Sequence, residues 1–219
     1  METHQVPDSI AGRKEALGQQ LKSCRELIDK DLWAMTPIPQ ILTELSIFYA
    51  EDEKFMFSLA VACLTATKCD PIRYVAPFHP VRVKNVYFIV KLLTNTAALT
   101  AAIQNSLTVA VKNGGLDQKI QDTLKEVDQV SLCQMLLILV LKTCPGNEMA
   151  ELDIFVHARN MLKDIEKLEG RGKERGLIDA WTKDPDNQET RSFFEYAVVK
   201  QIDALAELGM AIIKAEFLS

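Results

Sequence analysis

The sequence predicts an all-α protein of eight or nine helices with no sheet. Apolar residues recur every three or four positions over long stretches, whereas no alternating strand pattern persists. The 9 glycines and 8 prolines fall mainly where one periodic stretch gives way to the next. A composition with 48% apolar and 25% charged residues is that of a globular chain. We therefore expect antiparallel helical hairpins, arranged as a superhelical array or as a closed bundle.

The first helix is predicted from Ser9 to Trp33, because its apolar side chains fall on one stripe. This stripe consists of Leu17, Leu21, Cys24, Leu27, Ile28 and Leu32. The second helix is predicted over residues 37–50. Thr36 offers it a hydroxyl cap, and Pro37 takes the first helical position, where a missing N–H does no harm. A third helix should follow over residues 54–68.

Proline and glycine punctuate the middle of the chain. The segment from Cys69 to His79 contains two prolines, so we expect a loop there with at most one helical turn. Pro80 opens a fourth helix that should end near Thr96, and a fifth should continue to Lys112. The sequence Asn113-Gly114-Gly115 ends the fifth helix, because glycine readily adopts the left-handed cap conformation.

Two further helices are predicted over residues 116–129 and 130–143, and Pro145-Gly146-Asn147 should end the second of them. The twelve residues from Val130 to Leu141 are apolar on nearly every face, which indicates a buried central helix. A helix that spans a membrane needs about 20 residues. We therefore expect no membrane segment and no membrane partner.

The last third of the chain carries the clearest helical periodicity. Two seams step by alternating four and three residues, as in helices that pack at shallow crossing angles. They consist of Ile154, Ala158, Met161, Ile165 and Leu168, and of Val198, Ile202, Leu205, Gly209 and Ile212. We expect a helical-hairpin region over residues 1–168, a polar connector over 169–188, and a C-terminal helix over 189–219 that packs on the same core. Such seams would equally suit a homodimer.

Charge and cysteine content narrow the class of protein. The formal net charge of −5 disfavours a broad electrostatic grip on nucleic acid. The five cysteines are odd in number and show no Cys-x-x-Cys spacing, which indicates free thiols rather than a disulfide framework. The first residues, Met1 to Asp8, lack the apolar core of a signal peptide. We predict a cytoplasmic or nuclear protein that uses no cofactor and no metal.

One polar stripe deserves comparison with known catalytic chemistry. Asp153, His157, Asn160 and Asp164 share one face of a helix, where a carboxylate–imidazole pair can bind a metal or move a proton. Solvated helix faces commonly carry such pairs for local stability, and this is the favoured interpretation. The alternative is a compact bundle in which Asp153 and His157 face an internal pocket that binds or acts on a small ligand.

Two other motifs have weak catalytic interpretations. Cys63 and Cys69 lie near His79 in sequence, but a buried core position is favoured for Cys63 because its helix face is apolar. The glycine-rich stretch over residues 170–176 superficially matches a phosphate-binding loop. No strand precedes it, and no Ser or Thr follows Lys173, so we interpret it as a flexible linker.

Two charged patches of opposite sign lie close together in the sequence. Residues 44–53 contain four acids and no base, whereas residues 68–91 contain five bases and one acid. The favoured interpretation is that the patches neutralise each other across a hairpin. Otherwise the basic patch would attract an acidic peptide. The candidate partner-binding residues are Arg73, Tyr74, Arg82 and Lys84, which gather basic and aromatic groups around a proline-bounded loop.

The block from Phe55 to Ala97 contains the runs Lys68-Cys69-Asp70-Pro71-Ile72-Arg73-Tyr74 and Pro77-Phe78-His79-Pro80-Val81-Arg82-Val83-Lys84. It resembles the C-terminal TPR-like helical region of fungal SET/MYND-type lysine methyltransferase-like proteins. Ala66 and Pro71 have the mutual spacing found at the end of a TPR hairpin. The sequence contains neither the Asn-His-x-Cys segment nor the Cys/His cluster of such enzymes. The resemblance therefore implies the interaction part without the catalytic part.

Together these observations predict a non-catalytic protein–protein interaction module, TPR-like in part. Its partner should be a peptide or protein, and no nucleic acid is expected to bind.

Overall fold

The computed structural model describes residues 10–76, 79–94, 115–144, 150–167, 183–184 and 188–219. Across these residues the chain forms nine helices and no strand, which confirms the all-α prediction. The helices are α1 (Ile10–Ser23), α2 (Arg25–Asp29), α3 (Ile38–Glu51), α4 (Phe55–Arg73), α5 (Pro80–Thr94), α6 (Gly115–Glu126), α7 (Gln129–Lys142), α8 (Asp153–Glu166) and α9 (Gln188–Ile213).

The N-terminal region departs from the prediction at two points. The first helix is broken at Cys24 into α1 and α2, and Trp33 lies buried in the loop that follows. The second helix begins at Ile38, one residue later than predicted. Pro37 takes the cap position after a cis peptide bond, and no side chain caps the helix, so the predicted hydroxyl cap from Thr36 does not form.

Helix α4 is longer than predicted. Its regular part, Phe55–Leu64, continues through a π-helical turn, Thr65–Cys69, into a last α-helical turn, Asp70–Arg73. The predicted loop at Cys69 is therefore wrong over its first residues. Pro71 stands in the first turn of that last segment, where its missing N–H is tolerated.

By length and hydropathy alone, α4 would suffice to cross a membrane, but most of it is buried inside the fold. Core helices of globular proteins have the same properties. The sequence pattern predicts a shorter helix that ends near residue 68, because Pro71 normally ends a helix.

The core is centred on α4. Helix α9 makes its most extensive contact with the Phe55–Leu64 part of α4, while α3 folds back against α4 after a short connection. At Gly209 the two backbones approach so closely that a Cβ atom would lie 2.5 Å from the carbonyl oxygen of Ala60. Leu205, Gly209 and Ile212 of the predicted C-terminal seam are buried, and Ile202 is half-buried.

Helix α7 confirms the prediction of a buried central helix. Every residue from Ser131 to Ile138 is buried, and α7 packs between α5 and α8. In the seam of α8, Ala158 and Ile165 are buried, whereas Ile154 and Met161 are half-buried. The predictions at Leu168, at the fifth helix to Lys112, at Asn113-Gly114, at Pro145-Gly146-Asn147 and at residues 170–176 lie outside the described residues, as does the side chain of Val198.

The C-terminal π-helical turn, Lys214–Leu218, is held against α1 and α3. The hydroxyl of Tyr49 donates to Oε2 of Glu216 over 2.7 Å, and Nζ of Lys14 lies 2.7 Å from the same oxygen. Burial and the neighbouring carboxylate raise the pKa of Tyr49, so this hydroxyl keeps its proton and acts as a donor.

Candidate functional site

A groove of about 380 Å³ opens where α3, the end of α4 and the start of α5 meet. Helix α3 forms one wall, and α4 and α5 form the other. The lining residues are Pro39, Gln40, Thr43, Glu44, Ser46 and Ile47 from α3, then Ala62, Thr65, Asp70, Arg73 and Tyr74 from α4 and the residue after it, and Val81, Lys84, Asn85 and Phe88 from α5. The groove therefore combines apolar side chains with charges of both signs.

The π-helical turn in α4 helps to shape this groove. Such a turn holds one residue more than an α-helical turn, which rotates every side chain that follows it. Thr65 lies at the start of the turn, and Asp70 and Arg73 follow it, so that all three residues line the groove. Insertions of this type occur frequently at functional sites in helical proteins.

Two cationic side chains line the groove. Nη1 of Arg73 donates to Oε1 of Gln40 over 3.2 Å, and its guanidinium carbon lies 5.9 Å from the centre of the Tyr74 ring. Lys84 is exposed. Neither Arg73 nor Lys84 forms an ion pair with a carboxylate among the described residues. Their charges therefore remain available to an anionic ligand.

Arg82 has a different position from the other three predicted residues. Its Nη1 donates to the backbone carbonyl of Tyr74 over 3.2 Å, and it does not line the groove. The ring of Tyr74 stacks on His79 with centroids 4.2 Å apart, and Nδ1 of His79 accepts from the backbone N–H of Val81 over 3.3 Å. Arg73, Tyr74 and Lys84 thus come together in one groove, while Arg82 and His79 hold Tyr74 in place.

Asp70 lies at the inner side of the groove and is only 4% exposed. Nδ2 of Asn85 donates to Oδ2 of Asp70 over 2.7 Å. Burial raises the pKa of Asp70, although the Asn85 hydrogen bond and the positive charges of Arg82, Arg73 and His79 act in the opposite direction. The sequence pattern missed Asp70 and Asn85 as site residues. The available signal was that Asp70 is the single acid in an otherwise basic segment.

The favoured interpretation of the two charged patches is wrong. The structure describes every acid of residues 44–53 and every base of residues 68–91, and none of these acids forms an ion pair with one of these bases. The pairs that these residues do form are Arg13–Glu51 at 2.6 Å, Lys54–Asp52 at 2.7 Å and Lys68–Asp31 at 3.3 Å. Glu44 remains on the α3 wall, opposite the basic wall. The two patches therefore form no direct ion pair with each other.

The serine and threonine hydroxyls that line the groove each donate to a backbone carbonyl of their own helix. Thr43 donates to the carbonyl of Pro39 over 2.9 Å, Ser46 to that of Thr43 over 2.8 Å, and Thr65 to that of Val61 over 3.1 Å. A nucleophilic hydroxyl needs a neighbouring base to take its proton, and here each proton goes to a backbone carbonyl of the same helix. This chemistry favours binding over covalent catalysis.

The polar stripe on α8 lies in solvent. Asp153, His157, Asn160 and Asp164 are all exposed, which agrees with a solvated face and not with an internal pocket. Among the residues that the structure describes, no three His, Cys, Asp or Glu side chains come together as a metal site would require.

The cysteines do not form the suggested thiolate–imidazole pair. Cys63 is completely buried, and the thiol of Cys69 donates to the carbonyl of Trp33 over 3.3 Å. His79 instead stacks on Tyr74. All five cysteines lie in the part of the chain that the structure describes, and none of them forms a disulfide, as predicted.

Comparison with known proteins found no matching protein family, curated protein or solved structure. The resemblance of the block from Phe55 to Ala97 to the helical region of SET/MYND-type proteins stays a prediction. What the groove binds is therefore argued from its own chemistry.

Proposed function

We propose that this protein is a non-catalytic interaction module that binds a short acidic segment of a partner protein in the groove between α3, α4 and α5. The observation that carries the proposal is that Arg73 and Lys84 line the groove without an ion-pair partner among the described residues. A cleft with low-dielectric walls concentrates the field of such charges and attracts anions. An acidic segment is the complementary ligand.

The size and lining of the groove suit a side chain or two of a peptide. Its volume of about 380 Å³ lies at the lower end of the usual range for ligand sites. Ile47, Val81 and Phe88 offer apolar contacts inside it. Ile72 and Val75, which flank Arg73 and Tyr74 in the chain, are 70% and 83% exposed. The expected ligand therefore has an apolar or amphipathic anchor flanked by acidic residues.

The backbone hydrogen bonds of Thr43, Ser46 and Thr65 leave these groove hydroxyls without a neighbouring base, which supports a binding role rather than a catalytic one. The resemblance to a TPR-like region supports it in the same direction, since stacked helical hairpins commonly bind peptides on one face. We place the protein in the cytoplasm or nucleus as part of the same proposal.

The proposal is tested by selecting peptides from a random phage-displayed library on the purified protein. The variant Arg73→Glu/Lys84→Glu serves for counter-selection. The control variant, Lys22→Glu/Lys163→Glu, carries the same charge change at two exposed lysines on α1 and α8, outside the groove. We expect acidic peptides to be enriched on the wild type and on the control but not on the groove variant.

The binding of an enriched peptide should also weaken as salt concentration rises, because screening reduces attraction between exposed charges. Enrichment of peptides without acidic residues, or equal enrichment on the wild type and on the groove variant, would contradict the proposed function.

A further inference from the structure

The buried carboxylate of Asp70 has fewer hydrogen bonds than its burial demands. Oδ2 accepts from Asn85 over 2.7 Å, whereas Oδ1 has no hydrogen-bond partner among the described residues, and neither oxygen takes part in an ion pair there. A carboxylate has about four lone-pair sites. Buried polar groups in folded proteins are almost always satisfied, so an exception calls for an explanation.

Among the described residues, no neighbouring side chain donates to Oδ1 of Asp70, and Asn85 adds a further oxygen acceptor beside it. Asn85 uses its amide N–H group on Asp70, and its own Oδ1 has no partner among the described residues. The hydroxyls of Thr43 and Thr65, which line the same groove, donate to carbonyls of their own helices. Oδ1 of Asp70 and Oδ1 of Asn85 are thus two acceptors at the inner side of the groove that a ligand can bind with a donor group.

We propose that the groove selects, among acidic segments, those that carry a nitrogen with at least two hydrogens, which donates to Asp70 and Asn85 while the acidic groups pair with Arg73 and Lys84. This inference rests on the proposed function. A side-chain carboxamide of Asn or Gln and a lysine ammonium share the required chemistry. Both can donate to two acceptors at once.

The titration of Asp70 agrees with a missing donor. Its pKa is raised by burial although Arg82, Arg73 and His79 lie close enough to lower it. A donor that reaches Oδ1 would stabilise the ionised form and lower the pKa. Binding should therefore shift the pKa of Asp70 downwards, which NMR of its carboxyl carbon can follow.

The test uses three peptides of the form acetyl-Glu-Xaa-Glu-methylamide, in which Xaa is Gln, Lys or Met. The three central side chains have similar length, and only Met lacks a donor. We expect the Gln peptide, the Lys peptide or both to bind the wild type about tenfold more tightly than the Met peptide, because hydrogen bonds to a charged group are strong. The better of the two identifies the source of the nitrogen.

Two variants of Asp70 complete the experiment. Asp70→Leu removes both acceptor oxygens and should abolish the preference while the Met peptide binds as before. Asp70→Asn keeps the size of the side chain and the bond from Asn85, so it should fold even where the leucine variant does not. In Asp70→Asn the remaining amide would itself be a donor towards the ligand, and the preference should again be lost.

Equal binding of the three peptides to the wild type, or a preference that survives in Asp70→Asn, would overturn the inference. In that case the Arg73→Glu/Lys84→Glu variant separates the two proposals. Loss of all three peptides in this variant would leave the proposed function intact. If none of the peptides binds the wild type, both proposals fail.

Discussion

Arg73 donates a hydrogen bond from Nη1 to Oε1 of Gln40 over 3.2 Å, which joins the end of α4 to the first turn of α3 across the groove. The bond lies at the surface and joins a charged donor to a neutral amide. A carboxylate from a ligand would replace this neutral acceptor with a charged one, and an arginine can hold a carboxylate through two parallel hydrogen bonds. Gln40 thus holds Arg73 in place until an acidic group competes for it.

The variant Gln40→Ala should bind acidic peptides about two- to threefold more tightly, since Arg73 no longer exchanges one partner for another. Fluorescence anisotropy with a labelled acidic peptide measures this change. Gln20→Ala, at an exposed position on α1, is the control and should leave the affinity unchanged. A weaker affinity in Gln40→Ala would mean that Gln40 contacts the ligand itself.

The raised pKa of Asp70 predicts a pH dependence of stability. Since its pKa in the folded chain lies above the ordinary value of 3.8, the folded state keeps the proton to higher pH than the unfolded chain. The free energy of unfolding therefore falls as the pH rises from about 3.8 through the folded pKa. At neutral pH the ionised Asp70 destabilises the fold.

Asp70→Asn cannot ionise and can keep the hydrogen bond from Asn85. We expect urea unfolding to show that this variant gains stability relative to the wild type at neutral pH, and that the gain shrinks towards about pH 3, where the wild-type carboxyl is protonated. A stability difference that is independent of pH would contradict the burial of an ionised Asp70.

The contact between α9 and α4 predicts an unequal response to two glycine substitutions. In Gly209→Ala the new Cβ would lie 2.5 Å from the carbonyl oxygen of Ala60, a backbone atom that can yield only if the helices separate. We expect a loss of about 3 kcal/mol in the free energy of unfolding.

Gly18→Ala is the matched control. Its Cβ would lie 2.8 Å from the ring of Phe217, a side chain that can shift more readily than a backbone carbonyl, and both substitutions gain the same helix propensity. This variant should change stability by no more than about 1 kcal/mol. Equal losses in the two variants, measured by urea unfolding, would refute the close packing of α9 on α4.

Thiol labelling tests the burial of the cysteines. Burial raises the pKa of Cys69 and of Cys133 to about 12 and raises that of Cys63 as well, so almost no reactive thiolate forms at neutral pH. Cys24 is also buried, whereas Cys144 is only half-buried. Mass spectrometry after brief iodoacetamide treatment should find Cys144 modified first. All five should react in denaturant, and rapid native labelling of Cys63 or Cys69 would contradict the structure.

The success of the sequence prediction depended on how local the signal was. The burial of α7 followed from residues that are apolar on every face, a property that needs no knowledge of the neighbouring helices. The extension of α4 beyond residue 68 was missed because a proline normally ends a helix. Here Pro71 follows a π-helical turn and sits where its N–H is not required.

In the candidate site, too, the sequence predicted the residues with a local signal and missed those that depend on distant contacts. Arg73, Tyr74 and Lys84 were found because basic and aromatic residues cluster in sequence. The role of Asp70 depends on its burial against α3 and α5, and that of Gln40 on a contact 33 positions away along the chain. Neither contact can be inferred from the periodicity of apolar residues in the sequence. The pairing of charged patches was misjudged for the same reason, since Arg13 reaches Glu51 from a separate helix.

The claim that the groove binds acidic segments is tested most directly by reversing the charges of the groove and of the peptide. The measurement compares the affinities of acetyl-Glu-Met-Glu-methylamide and acetyl-Lys-Met-Lys-methylamide for the wild type and for Arg73→Glu/Lys84→Glu. If the groove binds acidic segments, the Glu peptide binds the wild type more tightly than the variant. The Lys peptide should bind the variant more tightly than the wild type. Equal affinity of the Glu peptide for both proteins would contradict this account of the groove.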